Sequence, residues 1–271
     1  ALDVEAHKRA FSKLWLALMS LNMTAAQHKL ILKHLPYHVL PYLDQPLLLA
    51  DYLTKSYESG GVVAVLALES LFQVIVKHNL DFPNFFRSLY RLCTVEVFSA
   101  KYRTKFMKLL HMSLKSTNLA AYLVAAFIKR LTRLALFVPG PVAVYCIAQV
   151  TWLLRRHPQC MVLIHRTSIP SDATYDEDEE DDLENCNALS SSLWELEALT
   201  NHYYYQVSSL AKSLQNEAST VSGPKEIPMY IDDFITQSYG DLMEGELKSA
   251  KKRSALAFTE PAGVFSSSAV D

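Results

Sequence analysis

A chain of 271 residues, half of them apolar, has material for one large core or two small ones, and its seven glycines and eleven prolines exclude a turn-rich all-β design. The formal net charge of −2 conceals a division: residues 1–171 carry 20 Lys or Arg against 8 Asp or Glu, net +12, while residues 172–271 carry 6 against 20, net −14. Such a split excludes an evenly charged surface; it implies an acidic or nucleic-acid partner for the basic half, or mutual neutralisation of the two halves.

The pattern of residues 4–21 predicts a first helix, with Phe11, Leu14, Trp15, Leu18 and Leu21 at steps of three and four. Thr24 and Gln27 form a capping-box pattern before the next helix, which runs to His34. Pro36, Pro41 and Pro46 punctuate a tight stretch, and Asp44 is placed to cap a helix starting near Pro46. Gly60 and Gly61 then separate that helix from residues 62–76, whose one charge is Glu69; a helix apolar nearly all round is a buried one. Asp81 and Pro83 precede a helix with Phe85, Phe86, Leu89 and Leu92. Further helices fit residues 101–114, 119–138, 141–156 and 159–165, and no strand pattern is convincing.

Two of these segments invite a membrane reading. Residues 138–154 lack charge, but from Pro141 only fourteen residues precede Arg155, short of the roughly 20 needed to span a bilayer. Residues 119–138 are long enough, yet hold Lys129, Arg130 and Arg133, and one charge at the bilayer centre costs about 2.5–3.5 kcal/mol. Both read as buried helices, and no membrane insertion is expected. No charged n-region leads into an apolar run, so no signal peptide is expected, and the initial Ala suggests a trimmed or partial chain. The expected fold is all-α: a helical-repeat (HEAT/armadillo-like) solenoid of stacked antiparallel helices with an acidic disordered linker.

That linker is residues 167–187, with nine acidic residues from Asp172 to Glu184 and too little apolar surface to offset ordering. Beyond it, Ser192 and Glu195 give an S-x-x-E capping-box pattern. Leu193, Leu196, Leu199, Tyr203, Val207, Leu210 and Leu214 then form one seam of a helix of about six turns. Residues 188–216 are therefore expected to be one long amphipathic helix that packs back on the repeat of residues 1–166. Residues 217–271 follow as an extension with a short helix and a basic tail at Lys248, Lys251, Lys252 and Arg253.

The stretch SSLWELEALTNHYYYQV, residues 191–207, resembles the signature S-x-LWEL-x-x-L-x-x-HY of the CCAAT-binding-factor/nucleolar-complex family. AAYLVAAFIKRLTRLAL at 120–136, the segment 141–158 and MYIDDFITQSYGDL at 229–242 are similar to that family's nucleolar complex protein 4 branch, in the same order. The chain departs from it at His202-Tyr203-Tyr204-Tyr205, where members show HYHP, and in its acidic run. The resemblance implies a non-enzymatic scaffold of the nucleus and nucleolus without cofactor or small-molecule substrate. It implies partnership with nucleolar protein 14 and other small-subunit processome proteins in pre-40S maturation and export, with rRNA processing. The family's older name implies an alternative, a DNA-binding chromatin factor; no helix-turn-helix, zinc-finger or basic-zipper pattern accompanies it. Nuclear-membrane association is a further alternative.

Candidate contacts to partner proteins or pre-ribosomal RNA phosphates are the basic clusters. Lys101, Lys105 and Lys108 share one helical face, with Arg103 nearby; Lys129, Arg130 and Arg133 form a second group, and Arg155 and Arg156 a third with Arg166. Such residues are equally the solvated face of a helix; RNA contact would be salt-dependent and poor in sequence preference. The signature residues Leu193, Trp194, Glu195, Leu196, Leu199, His202 and Tyr203 are candidates for packing. His28, His34 and His38 lack acidic or Cys neighbours in ligand spacing, so no metal is expected. Cys93, Cys146, Cys160 and Cys186 form no C-x-x-C pair and read as free or buried thiols of a reducing compartment.

Overall fold

Helix ends explain much of the architecture, a computed structural model that describes residues 3–80, 82–166, 175–176, 182–219 and 230–250. Helix α1 (Val4–Met19) starts where the Asp3 carboxylate accepts from the backbone N–H groups of Glu5 and Ala6, both at 3.1 Å. Helix α2 (Ala25–His34) opens with the reciprocal Thr24–Gln27 box read from the sequence. The prolines then yield a π-helical turn at Leu35–Val39 and two 3-10 turns, Leu40–Tyr42 and Pro46–Leu49, before α3 (Ala50–Glu58). Asp44 caps neither; its backbone N–H donates to Ser12 Oγ at 2.9 Å, which ties this turn to α1.

Between α3 and α4 (Gly61–His78) the chain reverses at two glycines with positive φ. Gly60 has φ 75° and ψ −179°, a region open to little besides glycine. Open space surrounds the position a Cβ would take, so the cost of a side chain is purely conformational. Gly60→Ala is expected to lower stability by about 1–3 kcal/mol, read as a lower urea midpoint with unchanged slope. At its other end α4 stops on Asn79, left-handed at φ 51°, a residue type suited to that conformation.

The chain continues as α5 (Phe85–Arg91), α6 (Val95–Ser99), α7 (Arg103–Ser113), α8 (Ala121–Ala135), α9 (Gly140–Arg156) and α10 (Val162–His165). After the acidic region come α11 (Trp194–Thr200), α12 (Tyr205–Ser219), α13 (Ile231–Thr236) and α14 (Tyr239–Ala250). Among the described residues there are fourteen α-helices and no strand. The fold is all-α, consistent with a solenoid. Asp81, read as opening α5, lies outside the described residues; α6 carries its own cap, Thr94 Oγ1 accepting from Val97 N–H.

Short connections make α3 with α4, and α8 with α9, antiparallel pairs with the most extensive packing. Helix α4 also meets α2 and α7, while α9 meets α12 and α13, and α13 meets α7. Helices α8 and α9 are buried nearly all round, and small side chains at Ala125, Ala126, Ala143 and Ala148 suit close approach of helix axes. Two polar groups α9 carries inward find partners: Tyr145 Oη donates to the Met107 carbonyl at 2.9 Å, and Gln149 Oε1 meets His111 Nδ1 at 2.9 Å. Burial holds His111 below its ordinary pKa, so it bonds as a neutral ring against Trp152. Helix α4 is the one described helix long and apolar enough to cross a membrane, by length and composition; its contacts with α2, α3 and α7 make it a core helix here.

The chain divides into two compact units, the first ending at Thr236 and the second beginning at Gln237. Helix α13 belongs to the first, where it packs against α9 and α7. In the second, α14 begins with a reciprocal cap: Ser238 N–H donates to Asp241 Oδ2 at 2.8 Å, and Asp241 N–H to Ser238 Oγ at 3.3 Å. Lys248 pairs with Glu244 one turn earlier, an exposed contact; Lys251, Lys252 and Arg253 lie outside the described residues.

Candidate functional site

The family-type signature and the basic part of α8 meet in one buried cluster. Glu195 is wholly buried, and a carboxylate in that position needs partners. Lys129 Nζ donates to Glu195 Oε2 at 2.8 Å and to the carbonyl of Ser192; Arg133, one turn along α8, donates through Nε to Glu195 Oε1 at 3.1 Å. Aromatic rings close the cluster: Lys129 Nζ lies 5.7 Å from the ring centres of Trp194 and Tyr175, and Arg133 Cζ lies 4.6 Å from that of Tyr175. Tyr175 Oη shares a hydrogen bond with Tyr90 Oη, and Arg130 lies 5.0 Å over the Tyr90 ring while donating to the Cys93 carbonyl at 3.0 Å.

This geometry corrects three expectations. Lys129 and Arg130 are buried against internal partners and present no surface to phosphate; a helix enclosed on every side must satisfy its charges inside. Ser192 and Glu195 make no capping box: α11 starts at Trp194 without a side-chain cap, because Glu195 turns inward to the α8 cations. The single long helix of residues 188–216 is instead a 3-10 turn, Ala188–Ser190, followed by α11 and α12. It breaks at residues 201–204, where His202 Nδ1 accepts from the Tyr204 N–H at 3.0 Å, a local bond that competes with helix continuation.

The packing part of the signature divides by face. Leu193, Glu195, Leu196 and Leu199 are buried, His202 is half-buried, and Trp194 and Tyr203 are 53% and 82% exposed. The Leu193 N–H donates to the Leu163 carbonyl at 3.0 Å, and Arg166 donates to the carbonyls of Leu189 and Ser190, so α11 is fastened to the end of α10. Most of the acidic linker lies outside the described residues; within it Tyr175 reaches the cationic cluster, and the Asp176 N–H donates to the Cys186 carbonyl at 3.0 Å.

Of the remaining basic candidates, Lys101 and Lys108 are exposed, Arg103 and Lys105 are half-buried, and Lys105 is paired with Glu69. Lys101, Lys105 and Lys108 line one groove with Lys33, Tyr37 and Glu69, three residues from elements distant in sequence that the pattern of α7 alone does not reveal. Arg155 is half-buried and Arg156 exposed, its guanidinium 5.3 Å over Trp152. The rings of His34 and His38 lie 5.6 Å apart, and among the described residues no group of three or more His, Cys, Asp or Glu gathers as a metal site requires. All four cysteines are buried thiols; burial pushes that of Cys93 up to about 12 and that of Cys160 to about 11, which suppresses the reactive thiolate.

Comparison with known proteins adds lineage to this geometry. The sequence profile of the CBF/Mak21 family matches residues 64–211, a span that contains both α8 and the α11 signature. A chicken (Gallus gallus) nucleolar complex protein 4 homolog is 38% identical over 264 residues, 97% of this chain and 51% of its own length. The zebrafish (Danio rerio) homolog is 39% identical over 95% of this chain and 48% of its own, and the human (Homo sapiens) homolog 45% over 78% and 41%. The chain thus spans about half the length of the curated relatives it matches.

Proposed function

This chain belongs to the CBF/Mak21 family, and from that membership we propose that it is a non-enzymatic scaffold of the nucleolus acting in ribosome biogenesis. The finer reading places it in the small-subunit processome, beside nucleolar protein 14, in maturation and export of the pre-40S particle. The observation that carries the reading is the colinear similarity to nucleolar complex protein 4 homologs over nearly the whole chain. A buried architecture supports it: side chains with chemical potential, the four thiols and the Lys129–Glu195 pair, are committed to packing, while exposed lysines and aromatic rings are left for contacts. The test is affinity purification of the tagged protein from cells. Nucleolar protein 14 and small-subunit precursor RNA are expected in the eluate; a clean eluate without either refutes the processome assignment.

A further inference from the structure

The groove between α2, α4 and α7 has a volume of about 560 Å3, within the usual range of ligand clefts. Its chemistry is layered. Phe72, Leu109 and Met112 form an apolar wall, and Met112 is 42% exposed for want of a covering group. Lys33, Lys101 and Lys108, all exposed, stand around it. The fourth lysine, Lys105, is neutralised by Glu69, whose carboxylate also accepts from the Tyr37 hydroxyl. That bond pushes the Tyr37 hydroxyl up to about 12, so it stays a donor.

We propose that this groove docks an acidic protein segment, its apolar side chains seated on Phe72, Leu109 and Met112 and its carboxylates on Lys33, Lys101 and Lys108. Charge complementarity selects the occupant: four lysines face one glutamate in the groove lining. Charge alone does not separate an acidic segment from RNA, because Glu69 opposes carboxylate and phosphate alike and Lys105 is already paired with it. The apolar wall of Phe72, Leu109 and Met112 makes the distinction: it rewards burial of aliphatic side chains, which RNA does not carry, and the Lys105 ammonium 5.5 Å from the Tyr37 ring centre occupies one aromatic surface a base could use. An apolar wall with a cationic margin is instead the complement of an amphipathic acidic helix laid in a groove. The inference rests on the scaffold reading and names the chemistry of one of its partners.

The test uses the purified full chain and three fluorescent probes in an anisotropy titration at physiological salt. They are a Glu/Leu peptide with leucines at helical spacing, a polyglutamate of equal charge, and oligouridine. The Glu/Leu peptide is expected to bind about tenfold tighter than either other probe, and the double variant Lys101→Glu/Lys108→Glu to lose about tenfold in affinity. Both lysines are exposed, and circular dichroism confirms that the variant keeps its fold. Equal binding of polyglutamate, equal or tighter binding of oligouridine, absence of saturable peptide binding, or unchanged affinity in the variant overturns the proposal. These outcomes are independent of the purification from cells, whose failure would remove the processome reading and leave the groove measurement standing.

Discussion

Glu195→Ala is expected to destabilise the folded chain by about 3–5 kcal/mol, the cost of breaking a buried ion pair by removing one partner. Lys129 is 1% exposed and its carboxylate partner not at all, so the pair lies out of bulk solvent. Arg133 is less affected, since its side chain is 27% exposed and can turn to solvent. The double variant Lys129→Met/Glu195→Leu is expected to recover most of the loss, because an apolar pair of similar volume needs no desolvation of ions. Urea unfolding of the wild type and both variants measures this. A single variant within about 1 kcal/mol of wild type, the range of an exposed pair, would show that the carboxylate is not buried against Lys129.

The same cluster shows which features were legible in the sequence. Helix α2 and the buried character of α4 and α9 follow from caps and local periodicity, because those signals lie within one element; the π and 3-10 turns around the prolines, which carry no side-chain cap, do not. The partner of Glu195 lies 66 residues away, and no local pattern encodes which of two surfaces a helical lysine faces. A signal did exist: three cations inside an apolar helix call for carboxylates, and the leucine ladder offers two, Glu195 and Glu197, of which the structure turns Glu195 inward. The break after Thr200 was invisible for a different reason. The seam's spacing runs on through Tyr203 in the sequence, yet Tyr203 is 82% exposed, while Leu196, Leu199, Val207 and Leu214 on either side of the break are buried as α11 and α12 pack against each other. Spacing carried across a turn imitates a continuous helix and misplaces the residue in the turn itself. The groove was only partly legible, because α7 supplies Lys105 and Lys108 and the turn before it Lys101, while Lys33, Tyr37 and Glu69 arrive from α2, the π-helical turn and α4.

That division of the signature between inward and outward residues leads to a paired prediction. Leu199 is fully buried at the end of α11, and Leu199→Ala removes its contacts and leaves a cavity, at an expected cost of about 2–5 kcal/mol. Trp194 is 53% exposed, with its ring centre 5.7 Å from the Lys129 ammonium. Trp194→Ala is therefore expected to cost no more than about 2 kcal/mol, the range of a partly desolvated cation–π contact. The larger side chain thus gives the smaller effect, the reverse of what side-chain size alone would rank. Urea midpoints of the two variants decide it: if Trp194→Ala proves the more destabilising, α11 is rotated from the orientation described and the tryptophan is a core residue. If the order holds, Leu199 and not Trp194 anchors α11 to the core, and side-chain burial rather than size sets the contribution of each signature residue.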